Sequence, residues 1–221
     1  MKYNFKKNLI INEDSPKILG HGYQGTVFEF GDSAFKTYNL SAKRKCDDRD
    51  VAIRLSKLDL KHFVTPYSLK INSKGNLSGF RMRLLNKKSK EKLTNMDICD
   101  AIRDMKEIRQ ETRTISENRI IFNDLQPHNV IITGKGIEIY DFSAYGISDS
   151  PHIIDMNNTE IDTLFGSLLL ISEMPDVDPI FLYNLIYANY KKSGCSTIEE
   201  YYEKVITNGS IGQYVLKKVK K

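Results

Sequence analysis

The chain has 221 residues, 40% of them hydrophobic and 28% charged, with a formal net charge of +5. That length suits one large domain or two small lobes and is enough to bury a core, and the composition is ordinary for a globular protein. Three scattered cysteines (Cys46, Cys99, Cys195) with no CxxC exclude a disulfide framework and a zinc site, and an apolar run no longer than Leu168–Ile171 excludes a bilayer span.

The opening "MKYNFKKNLIINEDS" has no apolar run of signal-peptide length, so a reducing, cytoplasmic setting is expected, with no membrane partner. "SPKILGHG" leads from a first strand near Lys17–Gly20 into "GHGYQGTV", a G-x-G-x-x-G stretch at residues 20–27. "GTVFEF" alternates and reads as a second strand. Gly31 and Asp32 form a turn, and "SAFKTY" is a third strand. The glycines thus sit between strands. A Rossmann fingerprint or a P-loop needs its loop to open a helix, so both are disfavoured. Glycines here can still let backbone N–H groups approach an anion. Lys36 lies on the third strand, placed to point beneath the glycine loop. Residues 41–63 read as a helix with Asp47, Val51, Leu55 and Leu58 on one face and Asp50 beside it. "VTPYSLKIN" and "LSGFRMRLL", split by "SKGN", read as a further hairpin.

Residues 94–119 form a long amphipathic helix, capped by Thr94 or Asn95. "IIFNDLQPHNVIIT" holds two short apolar runs around a polar stretch. After the turn "GKG", "IEIYDFSAYG" is a strand ending on Asp141. "NTEIDTLFGSLLLISEM" reads as a buried helix. "PIFLYNLIYANYKK", "TIEEYYEKVI" and "IGQYVLKKVKK" are helical, and the terminal lysines suit the negative end of a helix dipole. Nucleic acid is disfavoured as a partner.

Four pieces in order resemble one family, the protein-kinase-like phosphotransferases. "GHGYQGTV" resembles the Gly-rich loop, with Tyr23 at its tip, and "AFK" the strand of the phosphate-binding lysine. "NDLQPHN" resembles the catalytic loop and "YDFSAYG" the D-F-G segment, with Ser143 for the glycine. "DTLFGSLLL" is a looser match to the buried Asp-and-Gly helix. The resemblance implies an α+β, two-lobed kinase-like fold. Residues 1–85 would be a β-rich ATP-binding lobe with a small antiparallel sheet and one helix, and residues 86–221 a helical catalytic lobe. It implies ATP and Mg²⁺ as cofactors. Lys36 would meet the phosphates, under a loop of Gly20, Gly22, Tyr23 and Gly25. Val27, Ala34 and Ile131 would enclose the adenine, with Met82 as gatekeeper and Leu84 in the hinge. Asn129 and Asp141 would hold the metal, and Asp124 would take the acceptor's proton. Such roles fit a reaction that depends on positioning and charge stabilisation.

Three departures stand out. No Glu lies between Lys36 and Glu91, so Asp50, or else Asp47, falls where the lysine's partner would be. Phe122 and Asn123 precede Asp124 in place of His and Arg, which implies no need for activation-segment phosphorylation. Gln126 stands where Ser/Thr kinases carry a lysine. These features are closest to small bacterial or phage kinases and to antibiotic- and toxin-type relatives. The expected activity is transfer of a γ-phosphate to a hydroxyl, first a protein Ser/Thr and second a small molecule as in the aminoglycoside phosphotransferases. A pseudokinase, binding nucleotide without turnover, is the further alternative.

Overall fold

The computed structural model describes residues 17–22, 24–38, 46–85, 96–133, 136–171 and 179–205. The chain is α+β and divides into two compact units, residues 1–59 with 65–85 and residues 60–64 with 86–221.

The first unit holds an antiparallel sheet of β1 (Ile18–Gly22), β2 (Gly25–Phe30), β3 (Ser33–Tyr38), β4 (Pro66–Ile71) and β5 (Leu77–Arg83), in the order β1-β2-β3-β5-β4. Glycines make its tight turns possible: Gly31 and Gly75 have φ of 60° and 82°, in the left-handed region. The first hairpin is tighter than the glycine pattern implied. β1 runs on to Gly22, β2 begins at Gly25, and these two residues pair directly, so only two residues separate the strands. A Cβ on Gly25 would lie 1.9 Å from the Thr37 carbonyl oxygen, so β2 can lie this close to β3 only with a glycine there.

The helix α1 (Cys46–Leu55) ends well before Phe63, the end its sequence pattern suggested. Val51, Ala52 and Leu55 are buried, but beyond Leu55 the backbone tightens, with Leu58 N–H donating to the Leu55 carbonyl at 3.0 Å. Tertiary contacts override helix propensity here. Leu60, Phe63 and Val64 are buried, and they belong to the second unit.

That unit contains α2 (Ile98–Glu117), α3 (Ile153–Ile171), α4 (Pro179–Lys192) and α5 (Ile198–Val205). Two short antiparallel pairs complete it: β6 (Ile120–Ile121) with β9 (Gly146–Ile147), and β7 (Val130–Thr133) with β8 (Gly136–Ile139). Ala101, Met105, Ile108 and Ile115 form the buried stripe of α2, which packs on α3 and α5. Its N-cap is Asp97, whose carboxylate accepts the Cys99 N–H at 2.8 Å; Thr94 and Asn95 lie outside the described residues. α3 starts at Ile153, a turn and more before the expected Asn158. Arg109 of α2 joins the helices electrostatically. It donates to Asp162 of α3 at 2.6 Å and to both carboxylate oxygens of Glu199 of α5 at 2.7 and 2.8 Å.

Residues 60–64 lie along β8. Phe63 bridges Ile139 in parallel, Ile139 N–H donates to the His62 carbonyl at 2.7 Å, and Val64 N–H donates to the Ile139 carbonyl at 2.8 Å. Glu111 of α2 accepts the Lys61 and His62 N–H groups at 2.6 and 3.1 Å. Among the described residues, no helix is long and apolar enough to cross a membrane.

Candidate functional site

Seven of the residues that the kinase resemblance assigns to the nucleotide fall on adjoining cross-strand rows of the first unit's sheet. Directly opposed residues of antiparallel strands share a face, and so do residues two apart on one strand. Gly20 pairs with Val27, Val27 with Lys36, and Lys36 with Phe80. Two residues along, Ala34 pairs with Met82, and in the other direction Gly25 pairs with Gly22 and Tyr38. Gly20, Gly22, Gly25, Val27, Ala34, Lys36 and Met82 therefore present one common face. Lys36 is 6% exposed, and its Nζ lies 5.8 Å from the centre of the Tyr38 ring.

The two loop glycines differ in what requires them. Gly25 is needed by β3, as its contact with Thr37 shows. At Gly22 a Cβ would meet nothing within 4 Å, so the chain's own packing does not require a glycine there. Tyr23 lies outside the described residues. Leu84 follows β5 and is half-buried. Asp50 is engaged by its neighbour Arg49 at 3.2 Å and its side chain is 48% exposed; the side chain of Asp47 is not described.

In the second unit, the hairpin β7–β8 brings Asn129 and Asp141 to the same end. Val130 pairs with Ile139, and just beyond that pair Tyr140 N–H donates to the Asn129 carbonyl at 2.8 Å. The Tyr140 hydroxyl adds a bond to the His128 carbonyl at 2.7 Å. Asn129 ends a short 3₁₀ turn (Pro127–Asn129) and is buried, whereas Asp141 is half-buried in a left-handed conformation, φ 69°. Burial raises the hydroxyl pKa of Tyr140 and of Tyr145, and the Asp141 charge adds to both. Ile131 is buried in β7.

Asp124 is exposed, and its Oδ1 accepts the side-chain amide of Gln126 at 2.7 Å. The segment before it is held by Asn157 of α3, which is fully buried. Asn157 Oδ1 accepts the Phe122 N–H at 2.8 Å, and its Nδ2 donates to the Ile120 carbonyl at 2.8 Å and to Ser116 Oγ at 2.9 Å. Asp162, in the "DTLFGSLLL" match on this helix, is bound to Arg109, and Asn157 is one of the α3 residues that reach the Asp124 segment. Sequence reasoning missed Asn157, and Glu160 as well. Burial pushes its carboxyl pKa up, the Asp124 charge adds to that, and a hydrogen bond from the Leu125 backbone opposes it. Both residues lie in "MNNTE", where polar composition gave no sign of burial.

His62, Asp104 and Glu107 place ligand-type atoms within 4.8 Å of one another. These atoms already have partners. His62 bonds the Ile137 carbonyl at 2.7 Å and Glu107 at 2.9 Å, Lys61 reaches Glu107 at 2.6 Å, and Asp104 accepts the Ile137 N–H at 2.9 Å. The cluster thus serves as the fastening of residues 60–64, apart from Asn129 and Asp141. No protein-family model matches the chain, and no curated protein matches it.

Proposed function

We propose that the protein is an ATP- and Mg²⁺-dependent phosphotransferase with a two-lobed kinase-like fold, moving the γ-phosphate of ATP to a hydroxyl. A protein Ser/Thr hydroxyl is the first acceptor class and a small-molecule hydroxyl the second. The observation that carries this reading is the β7–β8 hairpin, at one end of which the Asn129 carbonyl is bonded to the N–H of Tyr140, the residue before Asp141. An amide and a carboxylate oxygen are the hard donors that Mg²⁺ takes, so the residues fit the ion. The common face of Gly20, Val27, Ala34, Lys36 and Met82 supports the same reading from the other motifs.

In this scheme residues 1–85 bind nucleotide and residues 86–221 carry the catalytic groups, in a cytoplasmic setting. Bound Mg²⁺ supplies positive charge to the phosphate oxygens. Lys36 supplies a further cation, and the backbone near Gly22 approaches the phosphates where no Cβ intervenes. Asp124 orients the acceptor hydroxyl and takes its proton as the new O–P bond forms and the bond to ADP breaks. Gln126 holds the Asp124 carboxylate in place. That same residue favours a second reading, a nucleotide-binding pseudokinase, because an amide brings no charge to the γ-phosphate.

The test is γ-phosphate transfer followed by mass spectrometry, with Lys36→Ala, Asp124→Asn and Asp141→Ala variants. Transfer by the wild-type protein and a loss of about 10²-fold or more in each variant is expected, the scale on which removing one charge-stabilising group acts. Undiminished transfer by Asp141→Ala would sink the assignment. Saturable ATP binding with no phosphorylated product would establish the pseudokinase.

A further inference from the structure

Asp141 carries a local arrangement that the metal-binding role alone does not require. Among the described non-glycine residues only Arg119 and Asp141 have positive φ. A carboxylate residue held in that sparsely populated region is kept there by its surroundings. Phe142 and Tyr145, each 5% exposed, pin the following turn, which closes through the Tyr145 N–H to the Phe142 carbonyl at 3.0 Å. Inside that turn two donors of one residue converge on one oxygen. The Ser143 N–H donates to Asp141 Oδ1 at 3.1 Å, and the Ser143 hydroxyl donates to the same atom.

We propose that Ser143 is the positioning residue for Asp141, fixing the rotation of its carboxylate for Mg²⁺. The inference rests on the phosphotransferase reading. Ser143 has no positive φ, so the backbone does not call for a glycine there, and the hydroxyl is available for a task that a glycine could not perform. A backbone amide alone leaves a carboxylate free to pivot about one hydrogen bond. A second donor on the same oxygen fixes the plane of the group. A ligand oriented before the ion arrives loses less freedom on binding, and removing such an outer partner costs about 10–100-fold in metal affinity.

The experiment is calorimetric titration of Mg²⁺ into the full-length protein saturated with the β,γ-imido analogue of ATP. Wild type, Ser143→Ala and Ser143→Thr are compared. Expected for Ser143→Ala is Mg²⁺ binding weakened about tenfold or more. Its affinity for the analogue without Mg²⁺ and its metal-free melting temperature should match wild type, and Ser143→Thr should restore Mg²⁺ binding. Wild-type Mg²⁺ affinity in Ser143→Ala, or a Ser143→Thr protein no better than Ser143→Ala, overturns the role of Ser143 and leaves the phosphotransferase reading intact. A wild-type protein that binds neither the analogue nor Mg²⁺ overturns both.

Discussion

At the scale of single residues, the two glycines at the tip of the first hairpin separate architecture from chemistry. Gly25→Ala would drive a methyl into the Thr37 carbonyl, a backbone group that cannot rotate away. We expect it to destabilise the protein by about 1–3 kcal/mol, as overpacking does, measured by denaturant unfolding. Gly22→Ala meets no atom of the chain, so its stability should stay within about 0.5 kcal/mol of wild type, as at unconstrained surface sites. If the proposed phosphotransferase site is formed here, ATP binding should nonetheless weaken in Gly22→Ala, where the methyl would occupy the approach to the phosphates. Equal nucleotide affinity there would remove Gly22 from the site. Both glycines were legible in the sequence as one motif, but the reason for each was not, since close approach of Thr37 is a property of the paired strands. Asn157 shows the same limit. An Asn in a polar stretch has no pattern that reveals it as a buried bond to Phe122, Ile120 and Ser116.

At the scale of elements, periodicity located what periodicity can locate. β2, β3 and α4 have the bounds that alternation, turn residues and apolar spacing indicate. The β6–β9 pair escaped because strands of two residues contain no period. α1 was read too long because Leu58, Leu60 and Phe63 continue an apolar pattern, although the last two serve a different core. The helices of the second unit meet at Arg109, whose own pKa is raised because its bonds and attraction to Glu199 and Asp162 outweigh burial. The Asp162 carboxyl is raised, burial exceeding the pull of Arg109. Both shifts are upward, favouring the Arg109 cation but not the Asp162 anion, because two acids share one cation and Glu199, 1% exposed, lies deepest. Arg109→Met would strand both acids, and breaking a buried pair costs about 3–5 kcal/mol. A lower melting temperature is the expected result, and unchanged melting would show the cluster to be hydrated.

At the scale of the whole molecule, the second unit is discontinuous in sequence: residues 60–64 leave the first unit's chain to complete it. Glu107, on α2, is part of that fastening. The hydrogen bond from Lys61, then that from His62, lowers its pKa from 4.5 to about 2. A depressed carboxylate stabilises the fold above its unfolded pKa, and that contribution is lost as the pH falls from 4.5 towards 2. Glu107→Gln should therefore melt below wild type at neutral pH, with the gap closing across that acidic window. A gap independent of pH would assign the effect to packing.

The excursion of residues 60–64 also sets an order of events during synthesis. β4 and β5 leave the ribosome after this short segment, whereas its partners on α2 and β8 emerge later still. Ile139 is the last of them, and until it is out the segment has no strand to lie along. Domains ordinarily fold in turn from the N-terminus. Here the nascent chain must hold five apolar-rich residues in reserve after the first unit is fully extruded, exposed to chaperones or to aggregation. The vulnerable interval in making this protein thus spans the emergence of residues 86–139, around the middle of the chain.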